Sequence, residues 1–459
     1  MSAHSPTPTQ AVAPGDRLGR PMLDLRISVI DRCNFRCPYC MPEDRYPRDH
    51  AFLAAAQRLT AGEIARLAGV FVELGVRKLR LTGGEPLLRR DLPEIVAALA
   101  ALPHAPDLAL TTNGVLLKRD AAALAAAGLK RITVSLDALD ADIFAAMSGG
   151  RGHVGEVLEG IAHADRSGLK PIKINCVVQR GVNESEVLPL VEHFRGSGQI
   201  LRFIEYMDVG TCNRWQVASV VPSRELLARI AAVHPLEPVQ SAYRGEVAER
   251  YRFVDGSGEI GFVSSVSQPF CGDCTRARLS ADGQLYTCLF GRHGHDLKSL
   301  LRGDADDAAL RAAIAGVWGR RGDRYSEERQ AAAGARDGRV EMYRIGGELR
   351  CTFAIVRRTR LRLGSGRVWS PGLAVRLFAH GALEARGAGE GTSRDWLRRA
   401  WRALVPCAPA LKGRAIATNS ENHGVACSDR LSATAPSAMI AGSPTLGRSR
   451  GRMERCPSG

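Results

Sequence analysis

The stretch AGEIARLAGVFVELGVRKLRLT, residues 61–82, decides the fold. Ile64, Leu67, Ala68, Phe71 and Val72 recur at helical spacing, and Gly75 follows where such a helix would stop. Leu79 and Leu81 then alternate with Lys78, Arg80 and Thr82, which is the period of a strand. One helix feeding one strand is half of a βα repeat, and the pattern extends in both directions. Strand-like runs at 23–30, 107–111, 131–136, 172–178 and 200–204 are separated by helical stretches, one of them starting near Asp91. Six strands regularly divided by helices predict an α/β fold with a parallel sheet, a partial (β/α)6 TIM-like barrel. A doubly wound open sheet is the alternative, and both folds gather chemistry at the carboxyl ends of their strands. Residues 206–260 are less regular, and 297–318 read as one helix.

Composition narrows the class. The chain has 459 residues with 45% hydrophobic and 24% charged side chains, as expected of globular domains. No run of about 18 apolar residues occurs, so no membrane partner is expected. Residues 1–21 form a Pro/Thr-rich leader without a basic start or an apolar region, so the expected location is the cytoplasm. In a reducing compartment, 12 cysteines point to metal or redox chemistry. The net charge of +15 is concentrated in residues 348–459, with 19 Lys and Arg against 7 Asp and Glu. The first 347 residues hold 44 against 41, so they offer little footprint for nucleic acid. With 56 Arg to 7 Lys, arginine is used far beyond sites that need its fork, which reads as coding bias.

Cys33, Cys37 and Cys40 form C-x3-C-x2-C directly after the first strand run. Three soft thiolates in one short loop suit an iron–sulfur cluster or zinc. Structural zinc takes four ligands, so a zinc knuckle would need a distant fourth. A 4Fe–4S cube held by three cysteines instead keeps one iron open. Cys271, Cys274 and Cys288 make a second set of three. By spacing alone it reads as a zinc ribbon, with Cys176, Cys212 or His293 as the fourth ligand. Arg276 and Arg278 alternate between those cysteines, and Arg26, Arg80 and Lys173 interrupt apolar strand runs. Cations there are costly unless paired, and five on converging strands suggest a bound polyanion.

The residues DLRISVIDRCNFRCPYCMP (24–42), KLRLTGGEPLLRRD (78–91), LTTNG (110–114), ITVSLDALD (132–140), KINCVV (173–178), LRFIEYMD (201–208) and FCGDCTRARLSADGQLYTCLF (270–290) carry a resemblance. Over about 20–347 the chain resembles the radical S-adenosylmethionine enzymes, and within them the GTP 3′,8-cyclases of molybdenum cofactor biosynthesis. The resemblance implies two 4Fe–4S clusters, held by Cys33, Cys37 and Cys40 and by Cys271, Cys274 and Cys288. S-adenosylmethionine would chelate the open iron of the first, with Tyr39, Gly84, Ser135 and Met207 around it. GTP would face the second, held by Arg26, Arg80, Thr111, Lys173, Arg276 and Arg278, with Lys78 a weaker candidate. The implied reaction is cyclisation of GTP to (8S)-3′,8-cyclo-7,8-dihydroguanosine 5′-triphosphate through a 5′-deoxyadenosyl radical. Implied partners are an electron donor and the next, pyranopterin-forming enzyme; a homodimer is left open. Competing readings are a peptide-modifying radical enzyme and a zinc-binding nucleic-acid module.

These features divide the chain into a leader (1–21), a radical-generating partial barrel (22–240), an auxiliary-cluster and GTP region (241–347) and a tail (348–459). The family's chains end near a Gly-Gly pair that reaches the active site, and Gly346-Gly347 matches it. The tail's Arg, Ala, Gly, Ser and Pro bias lacks a sustained period and reads as disordered or non-native sequence. Truncation after Gly347 is expected to restore or raise activity in a turnover assay. A compact, protease-resistant tail whose loss lowers activity would contradict this.

Overall fold

The structure, a computed structural model, describes residues 14–212, 215–329 and 338–345. The expectations for Gly346-Gly347 and the tail lie outside the described residues, as does most of the leader.

Twelve strands form one mixed sheet: β1 (Asp24–Ser28), β2 (Lys78–Thr82), β3 (Asp107–Thr112), β4 (Arg131–Ser135), β5 (Ile172–Val178), β6 (Ile200–Glu205), β7 (Leu236–Val239), β8 (Glu249–Phe253), β9 (Glu259–Val263), β10 (Arg276–Leu279), β11 (Gln284–Tyr286) and β12 (His295–Asp296). Their order is β12-β11-β10-β1-β2-β3-β4-β5-β6-β9-β8-β7. The six expected strands are parallel neighbours, with β10 and β9 added parallel to β1 and β6. The regions on either side of residue 240 therefore share one sheet. The order has two ends, so the barrel is partial, yet Arg276 of β10 and Val263 of β9 line the same cavity. Seven strand steps would hold them about 34 Å apart in a flat sheet, so the sheet curls round.

Local sequence explains the elements. Thr60 and Glu63 cap the helix Ala61–Glu73 reciprocally, Glu63 accepting from the Thr60 amide at 2.8 Å, and Gly75 leaves it at φ +100°. On β2, β5 and β6, buried and half-buried positions alternate without exception. The buried face packs on the helices: Leu79, Leu81, Ile174, Cys176, Leu201 and Phe203 belong to one continuous core. The other face carries the polar residues and lines the barrel. The run 297–318 is two helices, Leu297–Arg302 and Asp307–Gly319. Between them Asp304 stands at φ +63° and Asp306 caps the second helix, accepting from the Ala309 amide.

Candidate active site

The two cysteine sets stand at opposite ends of the parallel strands. Cys33, Cys37 and Cys40 follow the carboxyl end of β1. Cys271 and Cys274 precede β10, which runs parallel to β1, so they sit at the amino ends. The antiparallel β11 returns the chain to that level before Cys288. The expectation that all the chemistry gathers at the carboxyl ends is corrected here, because β10 joins the sheet parallel to β1.

The first loop is fixed by backbone contacts. Buried Arg36 donates to the carbonyls of Cys33, Phe35 and Tyr46 at 2.6–2.9 Å. Gly84 and Glu85 donate their amides to Ile30 and Arg32 carbonyls at 2.7 and 2.8 Å. A Cβ on Gly84 would stand 2.3 Å from the Arg32 carbonyl oxygen and 3.0 Å from the Cys33 nitrogen. Glycine there lets the segment lie against the cysteine loop. Gly84→Ala should push that loop away, at about 1–3 kcal/mol for overpacking. Measured iron retained by the protein should fall, and an unchanged content would contradict the packing reading.

Tyr39 donates its hydroxyl to Asp137 at 2.6 Å, and the other Asp137 oxygen accepts the Val177 amide. Burial raises Asp137 to about 6. Glu85, raised to about 7 by burial, accepts from Thr112, the Asn113 amide and the Leu87 amide. Ser135 ends β4 opposite Asn175. Asp208, next to Met207, accepts from Arg329 at 2.8 Å, from Arg339 at 3.1 Å and from Tyr325. Asp137, Glu85 and Asp208 were not singled out in the sequence, because a carboxylate in a loop carries no periodic signal.

A cavity of about 190 Å³ joins the second cysteine set to the carboxyl side of the barrel. Arg26, Arg80, Thr111, Arg276, Arg278 and Met207 all line it, with Cys271, Cys274 and Cys288. Tyr39, Gly84, Ser135 and Lys173 are not in its lining. Arg202, Arg321 and Asn175 are lining residues that sequence reasoning missed. Arg202 interrupts an apolar strand as Lys173 does, so the same signal would have found it. Arg321 lies in a loop, where no strand pattern marks it.

The charges in this space are unbalanced. Among the described residues Arg26, Arg80, Lys173, Arg202, Arg276 and Arg278 have no carboxylate within ion-pair distance. Burial, then Arg276 and Arg80, lowers Arg26 to about 9. Burial lowers Arg80 and Arg202 to about 10 and Lys173 to about 8, neighbouring guanidiniums adding to the effect. Burial, with Arg26 and Arg276, also holds Arg278 well below the usual value. Arg80 spends one nitrogen on the Thr111 and Thr133 hydroxyls, both 3.0 Å away. Of these, Arg26, Arg80, Arg202, Arg276 and Arg278 line the cavity, and cations without carboxylate partners there are what a polyanion site requires before its ligand arrives.

Cys274 differs from its neighbours. Burial alone would raise its thiol, but Arg276 and Arg321 bring it down to about 6. Arg276 reaches its sulfur at 3.5 Å, and Arg321 its carbonyl at 2.6 Å. Burial pushes Cys33 and Cys288 up to about 12, and Cys37 and Cys40 well above their ordinary values. The fourth ligands considered for zinc lie elsewhere: Cys176 is buried beside the Asp137 carbonyl, and Cys212 lies between the Cys40 carbonyl and Glu341.

Comparison with known proteins agrees with this geometry. The radical SAM superfamily model matches residues 27–194, and the Molybdenum Cofactor Synthesis C model matches 199–327. The GTP 3′,8-cyclase of Xanthomonas axonopodis pv. citri is 59% identical over 332 residues, covering 72% of this chain and 98% of that one. The chain belongs to the GTP 3′,8-cyclase family. Its relative from Acidothermus cellulolyticus is 54% identical, covering 68% of this chain and 88% of that one. That from Staphylococcus carnosus is 45% identical, covering 72% and 98%. The pair of family models and these relatives favour the cyclase reading over a peptide-modifying enzyme and over a zinc-binding nucleic-acid module. Membership brings S-adenosylmethionine and an iron–sulfur cluster with it. The first loop fits such a cluster: three half-buried thiols, acting electrostatically on one another, need a bound cation to stay deprotonated. No helix among the described residues is long and apolar enough to cross a membrane.

Proposed function

We propose that this chain is a GTP 3′,8-cyclase that makes (8S)-3′,8-cyclo-7,8-dihydroguanosine 5′-triphosphate, the first step of molybdenum cofactor biosynthesis. The observation that carries this is one cavity, lined by six arginines and by Cys271, Cys274 and Cys288, that reaches the carboxyl side of the barrel, the side on which Cys33, Cys37 and Cys40 follow β1. Residues 22–240 carry the radical source and 241–347 the auxiliary site. Cys33, Cys37 and Cys40 hold one 4Fe–4S cluster and Cys271, Cys274 and Cys288 the other. About eight iron atoms per chain are therefore expected after anaerobic reconstitution, by iron and sulfide analysis. Four would leave the second site without its cluster. When bound, the first cluster and S-adenosylmethionine supply a carbon-centred radical that takes hydrogen from the substrate.

The chain's own residues bind and aim. Tyr39, Gly84, Ser135 and Met207 surround S-adenosylmethionine, with Asp137 fixing the Tyr39 ring. Arg26, Arg80, Thr111, Lys173, Arg276 and Arg278 hold GTP, whose triphosphate supplies the missing negative charge. Guanidinium forks suit phosphate oxygens, and each such bond is worth about 1.5–3 kcal/mol. Arg278→Ala should accordingly weaken GTP binding roughly 10- to 150-fold while S-adenosylmethionine affinity stays nearly constant. Equal loss of both affinities would contradict a phosphate role. The site's radical chemistry needs an external electron donor, and the product passes to the pyranopterin-forming enzyme. The setting is the cytoplasm, without membrane or nucleic-acid partners, and a homodimer belongs to the same reading.

A further inference from the structure

The last residues of the leader are built into the second cysteine site. Residues 15–21 form a tight turn: Gly15 bridges Pro21, and Asp16 accepts the amides of Leu18 and Arg20 at 2.9 Å. Two bonds dock the turn on the helix Asp307–Gly319 and the loop after it. Trp318 Nε1 donates to the Arg20 carbonyl at 3.0 Å, and the Arg17 amide donates to the Arg321 carbonyl at 3.1 Å. The Arg20 side chain is fully buried. Its Nε donates to Asp16, and its Nη1 donates to the carbonyls of Cys271 at 2.7 Å and Asp323 at 2.9 Å. The other two cysteines are held by the same group of side chains. Arg321 stands 3.6 Å from the Asp16 oxygen that Arg20 uses and 3.1 Å from Asp323, and it donates to the Cys274 carbonyl at 2.6 Å. Asp323 accepts from the hydroxyl of Thr287, the neighbour of Cys288, at 2.8 Å. Asp16, Arg20, Arg321 and Asp323 thus reach all three cysteines, at their own carbonyls or at a neighbour.

Arg321 lines the substrate cavity, but Arg20 does not, so a nucleotide there does not account for Arg20. Burying a guanidinium is costly unless its donors are satisfied. Arg20 Nη2 is nonetheless buried without a hydrogen-bond partner. It belongs to the guanidinium whose Nη1 bonds Cys271, and a sulfur-rich anionic group held by these thiols would give it an acceptor. On that observation the second cysteine set fits a cluster, as the first does. We propose that residues 15–21 are a clasp on the auxiliary cluster and that Arg20 is its positioning residue, fixing the Cys271 loop and favouring the cluster's reduced form by its charge. The inference rests on the second cluster proposed above. A cation fixed beside an iron–sulfur centre stabilises the form that has gained an electron, and so raises its reduction potential. Arginine suits this place because one planar fork serves Asp16 and two carbonyls together, a geometry that a lysine ammonium does not reproduce.

Iron analysis and an EPR-monitored reductive titration of the anaerobically reconstituted full chain test this. Arg20→Gln should lower the iron from about eight per chain toward four, as the auxiliary cluster is lost from a loosened loop. Release of 5′-deoxyadenosine should stay as in the unaltered chain, which shows that the variant folds and keeps its first cluster. The auxiliary centre's potential is read with Cys37→Ala in place, so that only that centre contributes. Adding Arg20→Gln should shift it to a lower value, and Arg20→Lys, which keeps the charge, should return it toward the original. Unchanged iron, an unchanged potential, a shift that Arg20→Lys does not restore, or loss of both clusters together would overturn the clasp. An unaltered chain holding only four iron atoms would instead overturn the second cluster itself, so the two failures are distinguishable.

Discussion

Replacing Cys37 with alanine is expected to abolish cleavage of S-adenosylmethionine. Cys37 is the central residue of a loop held by Arg36 and by the glycines of 83–84, and its thiol is half-buried. Among the described residues, Cys212, a further cysteine near Cys40, is turned toward Glu341 and the Cys40 carbonyl. Even outer residues of metal sites cost about 10–100-fold when lost, so loss of a direct ligand should exceed 100-fold. The release of 5′-deoxyadenosine under reducing, anaerobic conditions measures this. A variant that still released it at near the normal rate would remove Cys37 from the cluster.

The second large effect is expected at Cys274, and it differs in kind. Its thiol is brought down to about 6 by Arg276 and Arg321, which also face the proposed substrate. Cys274→Ala should lose the auxiliary cluster and with it the cyclised product, while the distant first site still cleaves S-adenosylmethionine. Uncoupled 5′-deoxyadenosine without cyclised nucleotide is the expected signature. Full cyclase activity in this variant would make the second site structural and the mechanism wrong.

Much of the barrel is legible because its strands obey simple periods. Strand β5 spans Ile172–Val178 as read, and the other five expected strands shift by one or two residues at their ends. The added strand β10 was not legible as part of the sheet. Its four residues, RARL, hold two arginines, and only their shared direction into the cavity makes them compatible with a strand beside β1. The helix break at 303–306 was missed because apolar spacing persists on both sides of it. Arg276 and Arg278 betrayed themselves by alternation, and Lys173 by standing in an apolar run. Placement of the two cysteine sets at opposite ends is a fact of strand direction, which spacing does not encode.

The central claim is that a nucleoside triphosphate sits between these two sites and is closed on itself by a radical. Hydrogen abstracted from the substrate is returned as one electron and one proton, so the product is an isomer of GTP. Anaerobic incubation of the reconstituted chain with GTP, S-adenosylmethionine and a reductant, followed by chromatography and mass spectrometry, tests this most directly. A new species with the mass of GTP but a different retention, formed in step with 5′-deoxyadenosine, is the predicted result. Release of 5′-deoxyadenosine with GTP recovered unchanged would contradict it.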